Sequence, residues 1–310
     1  MCYSAQIWSD YKKYERYGGE LGLAEFVRTF WERQQSADWT RKMPKGMRDA
    51  FAKPRNAAEM ELAKLVAEGN REAVKQAHME LQAQSLRLEG AQRVLAGPKP
   101  TKKAANDQRI ATDKIERARR ALDDLQRKEP LPRDERMFPG TYAPVMIRQD
   151  SRKVVVPMRY QCRLPHWSEA IERKYPGTYN ARRDKLGEAW RELFGYRHGL
   201  IVVERFYEHV DRDGQDVVLE FVPSDRQPML VACLWNRSPA HDAAPELLSF
   251  AAITDEPPPE VAAAGHDRCI IQIKPENVDA WLNPDPANLP ALQAILDDRP
   301  RPRYEHRLAA

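Results

Sequence analysis

A long stretch of helical texture divides this chain. Between about residues 36 and 136 β-branched residues are few and Ala, Leu, Gln, Glu and Arg dominate, residue types that lose little on entering a helix. In NAAEMELAKLVAEGNREAVKQAHMELQAQSLRLEGAQRVLAG, Leu62, Leu65, Val66, Val74, Ala77, Leu81 and Leu88 fall mainly at steps of three, four and seven, the spacing of one helix face. The run breaks at Gly97-Pro98-Lys99-Pro100, because proline lacks an N–H and clashes with the turn before it. A second run, DQRIATDKIERARRALDDLQRK, places Ile115, Ala118, Leu122 and Leu125 on a short a/d stripe. Two helices joined by a tight turn predict an antiparallel hairpin. Its charge run reads as a solvated face.

The flanks differ. From residue 138 onward come KVVVPMRY, GLIVVERFYEHV, VVLEFV, PMLVACLW, SFAAIT and RCIIQI, separated by Gly, Pro, Asp and Asn, the pattern of short strands between turns. The N-terminal MCYSAQIW shares that character. The pattern predicts an α+β fold in which residues 1–35 and 137–310 make one core and residues 36–136 are an inserted helical hairpin. A chain of 310 residues is long enough to bury such a core.

Ile7, Trp8 and Tyr11 are interrupted by Ser9, Asp10, Lys12 and Lys13, so no signal peptide is expected, and no run approaches the ~20 apolar residues of a membrane span. A cytoplasmic protein without membrane association is the expectation. Cys2, Cys162, Cys233 and Cys269 show no spacing typical of zinc ligands, which supports neither a disulfide framework nor a metal site. The net charge of +4 is compatible with nucleic acid and does not by itself select it.

The first residues carry distinctive chemistry. A small second residue permits removal of the initiator methionine, and Cys2 then bears a free α-amine of pKa about 7.7–8.0 beside a thiol of about 8.5. Such a 1,2-aminothiol condenses with an aldehyde and closes a thiazolidine ring. Taken alone, Cys2 reads as a passive strand residue.

Four segments change that reading: Met1-Cys2; YNAR, Tyr179 to Arg182; RFYEH, Arg205 to His209; and GHDR, Gly265 to Arg268. In this order they resemble motifs of the SOS response-associated peptidase (SRAP) family, whose members are built around a Cys2 nucleophile. MRYQCRLPHW, the ACLW run at Ala232 to Trp235 and AWLNP at Ala280 to Pro284 add weaker likeness. The chain departs from the family pattern at Tyr3 and Ser4, Thr141, Arg205, His209, Cys269 and Ile270. Those departures bear on the shape of a DNA groove more than on the reacting groups.

The resemblance implies a mixed, largely antiparallel, barrel-like sheet core and covalent capture of abasic sites in single-stranded DNA, with no cofactor and no metal. It assigns Cys2 as nucleophile, Glu208 as proton acceptor, His266 as proton donor to the opening sugar, and Asn180 as a hydrogen-bonding partner of the sugar or the N-terminus. Arg182 is the expected phosphate contact. Arg159, Arg163, Arg183 and Arg268 are further candidates for phosphate, and Trp167 for base stacking or the core. The implied setting is the DNA-damage response, with the protein brought to the nucleoid by damage and lyase activity as a further possibility of class. Two rival functions stay open: a cysteine autopeptidase using Cys2 with His266 and Glu208, and a non-catalytic platform whose helical insertion binds a protein partner.

Overall fold

The computed structural model describes residues 4–240 and 245–309. Cys2, the expected nucleophile, lies outside the described residues. The chain divides into two compact units: Met1–Phe26, Lys42–Ala50 and Leu131–Ala310 form the first, Val27–Arg41 and Phe51–Pro130 the second.

The first unit carries a twelve-stranded sheet: β1 (Ser4–Ile7), β2 (Glu20–Leu21), β3 (Arg136–Met137), β4 (Tyr142–Gln149), β5 (Arg152–Tyr160), β6 (Asn180–Arg182), β7 (His198–Arg212), β8 (Gln215–Pro223), β9 (Met229–Ser238), β10 (Leu247–Asp255), β11 (Cys269–Ile270) and β12 (Tyr304–Leu308). Strands β4, β5, β10, β9 and β7 pair successively, and β7 returns to β4, which gives the barrel-like ring. Pairing is antiparallel except for β5 and β6 on β10 and β2 on β5. The expected α+β, largely antiparallel barrel is the observed fold.

The long strand β7 does two jobs. Its first half, Leu200 to Val203, is buried on both faces, as a continuous apolar run should be when a strand is covered on both sides. Its second half leaves the ring and runs between β1 and β8. The change happens at a bulge: Gln6 pairs with Arg205 and Ile7 with Val203, so Glu204 has no partner opposite it. One extra residue shifts the two-residue alternation by one. Ile201 and Val203 face the core before the bulge, and Phe206 and Val210 face it afterwards. Glu204 is held by Gln6 and Trp8 of the neighbouring chain, whose side-chain N–H groups donate to its carboxylate at 3.2 and 3.0 Å.

Helices in chain order are α1 (Leu23–Gln34), α2 (Trp39–Lys42), α3 (Lys45–Asp49), α4 (Ala57–Ala96), α5 (Lys102–Gln126), α6 (Glu169–Lys174), α7 (Pro259–Ala263), α8 (Val278–Leu282) and α9 (Leu289–Asp297). No described helix is long and apolar enough to cross a membrane. In the second unit α4 and α5 form the hairpin. Asn56 caps α4 by accepting from the Glu59 N–H at 2.9 Å, and Thr101 caps α5 by accepting from the Ala104 N–H at 3.1 Å, each satisfying an otherwise orphaned donor. Leu62 and Val66 of α4 and Ala111, Ile115, Ala118 and Leu122 of α5 are buried. Ion pairs Arg87–Asp107 at 2.6 Å and Lys114–Glu80 at 3.1 Å fix the register of the two helices.

Candidate functional site

Beyond the bulge, the inward residues of β7 are Phe206, Glu208 and Val210, with Phe221 and Leu219 of β8 opposite the first two. Glu208 thus enters an apolar interior and is fully buried. A buried carboxylate requires a polar partner. One is His266, whose Nε2 lies 3.2 Å from Glu208 Oε2.

His266 reaches that position through the end of α7. Gly265, with φ of +98°, donates its N–H to the Ala262 carbonyl at 2.9 Å, and the His266 N–H donates to the Val261 carbonyl at 3.2 Å. These are the two bonds of a Schellman termination, whose left-handed residue favours glycine. The glycine of the GHDR segment therefore aims the histidine. On the ring itself Nδ1 donates to the Arg268 carbonyl at 2.9 Å, since a carbonyl only accepts. Nε2 of a neutral ring then carries no hydrogen and faces the carboxylate. Glu208 and His266 thus stand at ion-pair distance, placed for a proton to pass between carboxylate and ring. Burial lowers the imidazole pKa from its ordinary 6.5, opposed by the Arg268 carbonyl.

Asn180 is placed by β6, which pairs with β10: Asn180 lies opposite Ala252 and Arg182 opposite Thr254. On its other side Thr254 pairs with Ile270 of β11, four residues after His266. The segments bearing Asn180 and His266 thus flank the same end of β10. Neither amide atom of Asn180 nor the hydroxyl of Thr254 finds a hydrogen-bond partner among the described residues, though both side chains are buried. Sequence reasoning missed Thr254; the polar residue closing the apolar stretch FAAI was its only signal.

The candidate DNA contacts fall into three groups. Arg182 is exposed and holds Asp184 in a bidentate pair at 2.8 and 3.2 Å. Arg183 contacts Asp255 at 3.3 Å and Asp297 at 2.7 Å, and Arg268 contacts Asp267 at 3.3 Å. Arg159 and Arg163 both close on the buried Glu172 of α6, Arg163 at 2.9 Å. Trp167 lies 5.6 Å from the Tyr175 ring and, with Arg163, Arg197 and Asn236, lines a cleft of about 890 Å³.

A family model described as SOS response associated peptidase (SRAP) matches residues 104–308 of the 310. The chain belongs to the SRAP family. The matched span contains Asn180, Arg182, Glu208 and His266 and begins after Cys2. Among solved structures the chain is similar to a protein of Bordetella bronchiseptica, 18% identical over 57% of this chain and 87% of that one, with a TM-score of 0.48. A protein of Bacteroides thetaiotaomicron is 16% identical over 57% and 78% of the two chains, with a TM-score of 0.46. A phage-related protein of Bordetella bronchiseptica is 19% identical over 60% and 85%, with a TM-score of 0.44. No curated protein matches the chain. Membership of the SRAP family fits a role in the response to DNA damage.

Two departures from the SRAP motif around Glu208 have a simple position. Arg205 and His209 alternate with the inward residues and point away from the core: Arg205 pairs with Glu220 at 3.1 Å and His209 with Asp216 at 2.8 Å. The inward side of the motif is unaltered by them. The three described cysteines are buried, and burial pushes the thiols of Cys162 and Cys269 up to about 12 and raises that of Cys233 as well. They stay protonated and are poor nucleophiles.

His198, which also lies in the SRAP core, has a structural role. It accepts from the Gly195 N–H at 2.9 Å and donates to the Trp281 carbonyl at 3.1 Å. Burial holds its pKa down to about 3 from an ordinary 6.5. The unfolded chain takes up this proton below 6.5 and the native state does not until about 3, so stability should fall as pH drops through that window. The slope expected from this residue alone is about 1.4 kcal/mol per pH unit. Urea midpoints of His198→Gln, measured across this range, should show a shallower acid decline than the parent. An unchanged decline would mean another group governs acid stability.

Proposed function

We propose that this SRAP protein captures the ring-opened abasic sugar in single-stranded DNA through the amine and thiol of Cys2, shielding the lesion during the damage response, and that it acts in the cytoplasm on damaged nucleoid DNA. The observation that carries the reading is the buried Glu208–His266 pair, 3.2 Å apart, beside the start of β1. Ser4 pairs with Tyr207, the residue before Glu208. It is anchored there by Arg136, which donates to its hydroxyl at 3.0 and 3.2 Å and covers the Tyr207 ring at 3.7 Å. Two peptide units separate Cys2 from Ser4, and covalent geometry limits that span to about 7 Å. The chain thus tethers an aminothiol near a general acid–base pair.

The chemistry then balances. The α-amine attacks C1′ of the open-chain aldehyde, and the resulting carbinolamine loses water to give an iminium. The thiol sulfur adds to the same carbon and closes the five-membered ring, its proton leaving to a base. Glu208 and His266 serve as proton store for these transfers. The buried amide of Asn180 and the hydroxyl of Thr254 supply hydrogen bonds to the sugar, in keeping with the rule that buried polar groups find partners. A gel under denaturing conditions tests the reading: a band stable to heat and detergent should form with abasic single strands and not with intact ones. No band with either would reject it.

Arg182 is the proposed phosphate contact, with Arg183 and Arg268 as further candidates. Asp184 competes with DNA for the Arg182 guanidinium. Arg182→Ala should lower the salt slope of single-strand affinity by about 0.7, one phosphate's share. Asp184→Asn should raise affinity by freeing the same group. If neither substitution alters affinity or slope, Arg182 does not touch phosphate.

The family description favours a second reading, cysteine peptidase activity with Cys2 as nucleophile. A peptidase needs the thiol and not the free α-amine, so acetylating the mature N-terminus separates the two. Acetylation should abolish the DNA adduct and leave any peptidase activity.

A further inference from the structure

The helical hairpin carries its charge unevenly. Along α4 and α5 acidic residues recur at intervals of no more than nine residues, except between Glu89 and Asp107. That gap spans the end of α4, the turn and the start of α5, and it contains Arg93, Lys99, Lys102 and Lys103. All four are exposed, and none makes an ion pair with a described residue. The nearest acid on α5, Asp107, is already engaged by Arg87 at 2.6 Å. The register set by Arg87–Asp107 and Lys114–Glu80 brings Arg93 opposite Thr101, so the four cations gather within about one turn of the tip.

Arg93 suits the last turn of α4, but folding does not call for the three lysines. Lys102 and Lys103 begin α5, whose first turn has no acidic residue, and cations at the positive end of a helix macrodipole disfavour the helix. The prolines end α4 and turn the chain, but the lysine between them is not needed for that. Elsewhere on the hairpin acids are interspersed with the cations and several pair with them, as in Lys75–Glu72, Arg109–Asp113, Arg120–Glu116 and Arg127–Asp124. Only this end of the hairpin lacks acids and places lysines at the start of a helix, which is the pattern of a surface shaped by a partner.

We propose that the hairpin tip, through Arg93, Lys99, Lys102 and Lys103, is a phosphate-backbone contact for nucleic acid, separate from the contacts of the SRAP core. The partner is a polyanion, and in a chain whose core engages single-stranded DNA it is the backbone of that strand. This assignment rests on the DNA reading of the core for the identity of its ligand, but not for its measurement. The contact carries no sequence information. It adds affinity that fades with salt, through release of condensed counterions.

The test uses the full chain and an undamaged oligothymidylate long enough to engage both units. Replacing the four cations by glutamine keeps good helix formers in place, and far-UV circular dichroism checks that the hairpin remains. The slope of log affinity against log salt should fall by about 2 to 3, four contacts at about 0.7 each. Should the fourfold variant not fold, Lys99→Gln in the turn should lower the slope by about 0.7. An unchanged slope in a folded variant overturns the proposal. So does a loss of binding confined to phosphatidylserine vesicles, which would give the tip to a membrane surface. The abasic crosslink is scored in parallel: a fallen slope without any wild-type crosslink keeps the tip and rejects the Cys2 chemistry, whereas a normal crosslink with an unchanged slope rejects the tip alone.

Discussion

Cys2→Ala should abolish the heat-stable adduct with abasic single-stranded DNA altogether. The amine alone can still reach the aldehyde, but an imine hydrolyses, and without a sulfur on the next carbon no ring closes around it. Borohydride should therefore rescue a trapped product from Cys2→Ala, because it reduces the imine before water removes it. Cys2→Ser should leave only a labile adduct, since an oxazolidine opens more readily than a thiazolidine. Noncovalent affinity should stay near that of the parent in both. The other cysteines cannot substitute, because Cys162, Cys233 and Cys269 are buried and their thiols are raised far from ambient pH. A stable adduct from Cys2→Ala would eliminate the aminothiol mechanism.

Glu208→Gln and His266→Ala should each slow adduct formation by about 10²–10⁴-fold, the range for a positioned acid or base. The two variants perturb the same pair differently. A glutamine amide at position 208 can donate to the bare Nε2 of His266, which stands 3.2 Å from Glu208 Oε2, so the packing survives while the carboxylate is lost. His266→Ala instead leaves the carboxylate facing a cavity, and loss of stability is expected beside the loss of rate. Because the two groups contact each other at 3.2 Å and act as a unit, the effects should not add: the double variant should be little slower than the worse single one. Rapid-quench measurement of crosslink formation at saturating DNA checks this. Additive slowing would show two independent groups.

Much of the fold was legible because the signals were local. The proline-bounded break at Gly97 to Pro100 marks the turn between α4 and α5, and Ile115, Ala118 and Leu122 are buried on α5 as their spacing predicts. The six β-runs after residue 138 correspond to β5 and to β7 through β11 for the same reason, while β4, β6 and β12 were not among them. What could not be read was the orientation of the site. Strict alternation from Ile201 and Val203 would turn Arg205, Tyr207 and His209 inward and Glu208 outward. The bulge at Glu204 reverses this, and it depends on pairing with β1, almost two hundred residues away in sequence. Periodicity within one strand contains no trace of it. The GHDR segment was more transparent in hindsight, since Gly265 before His266 is the glycine a left-handed helix end requires. The engagement of Arg159 and Arg163 by Glu172 is another contact that only tertiary structure makes; nothing in the local pattern pointed to Glu172.

The central claim is that a free N-terminal aminothiol reacts with the aldehyde, and intact-mass measurement after incubation with an abasic single strand tests it most directly. The account predicts a species weighing the protein without Met1 plus the oligonucleotide less one water, with the added mass on the peptide beginning at Cys2 and no such species once the α-amine is acetylated. An adduct of equal yield from the acetylated protein, or one mapped to any residue other than Cys2, would contradict it.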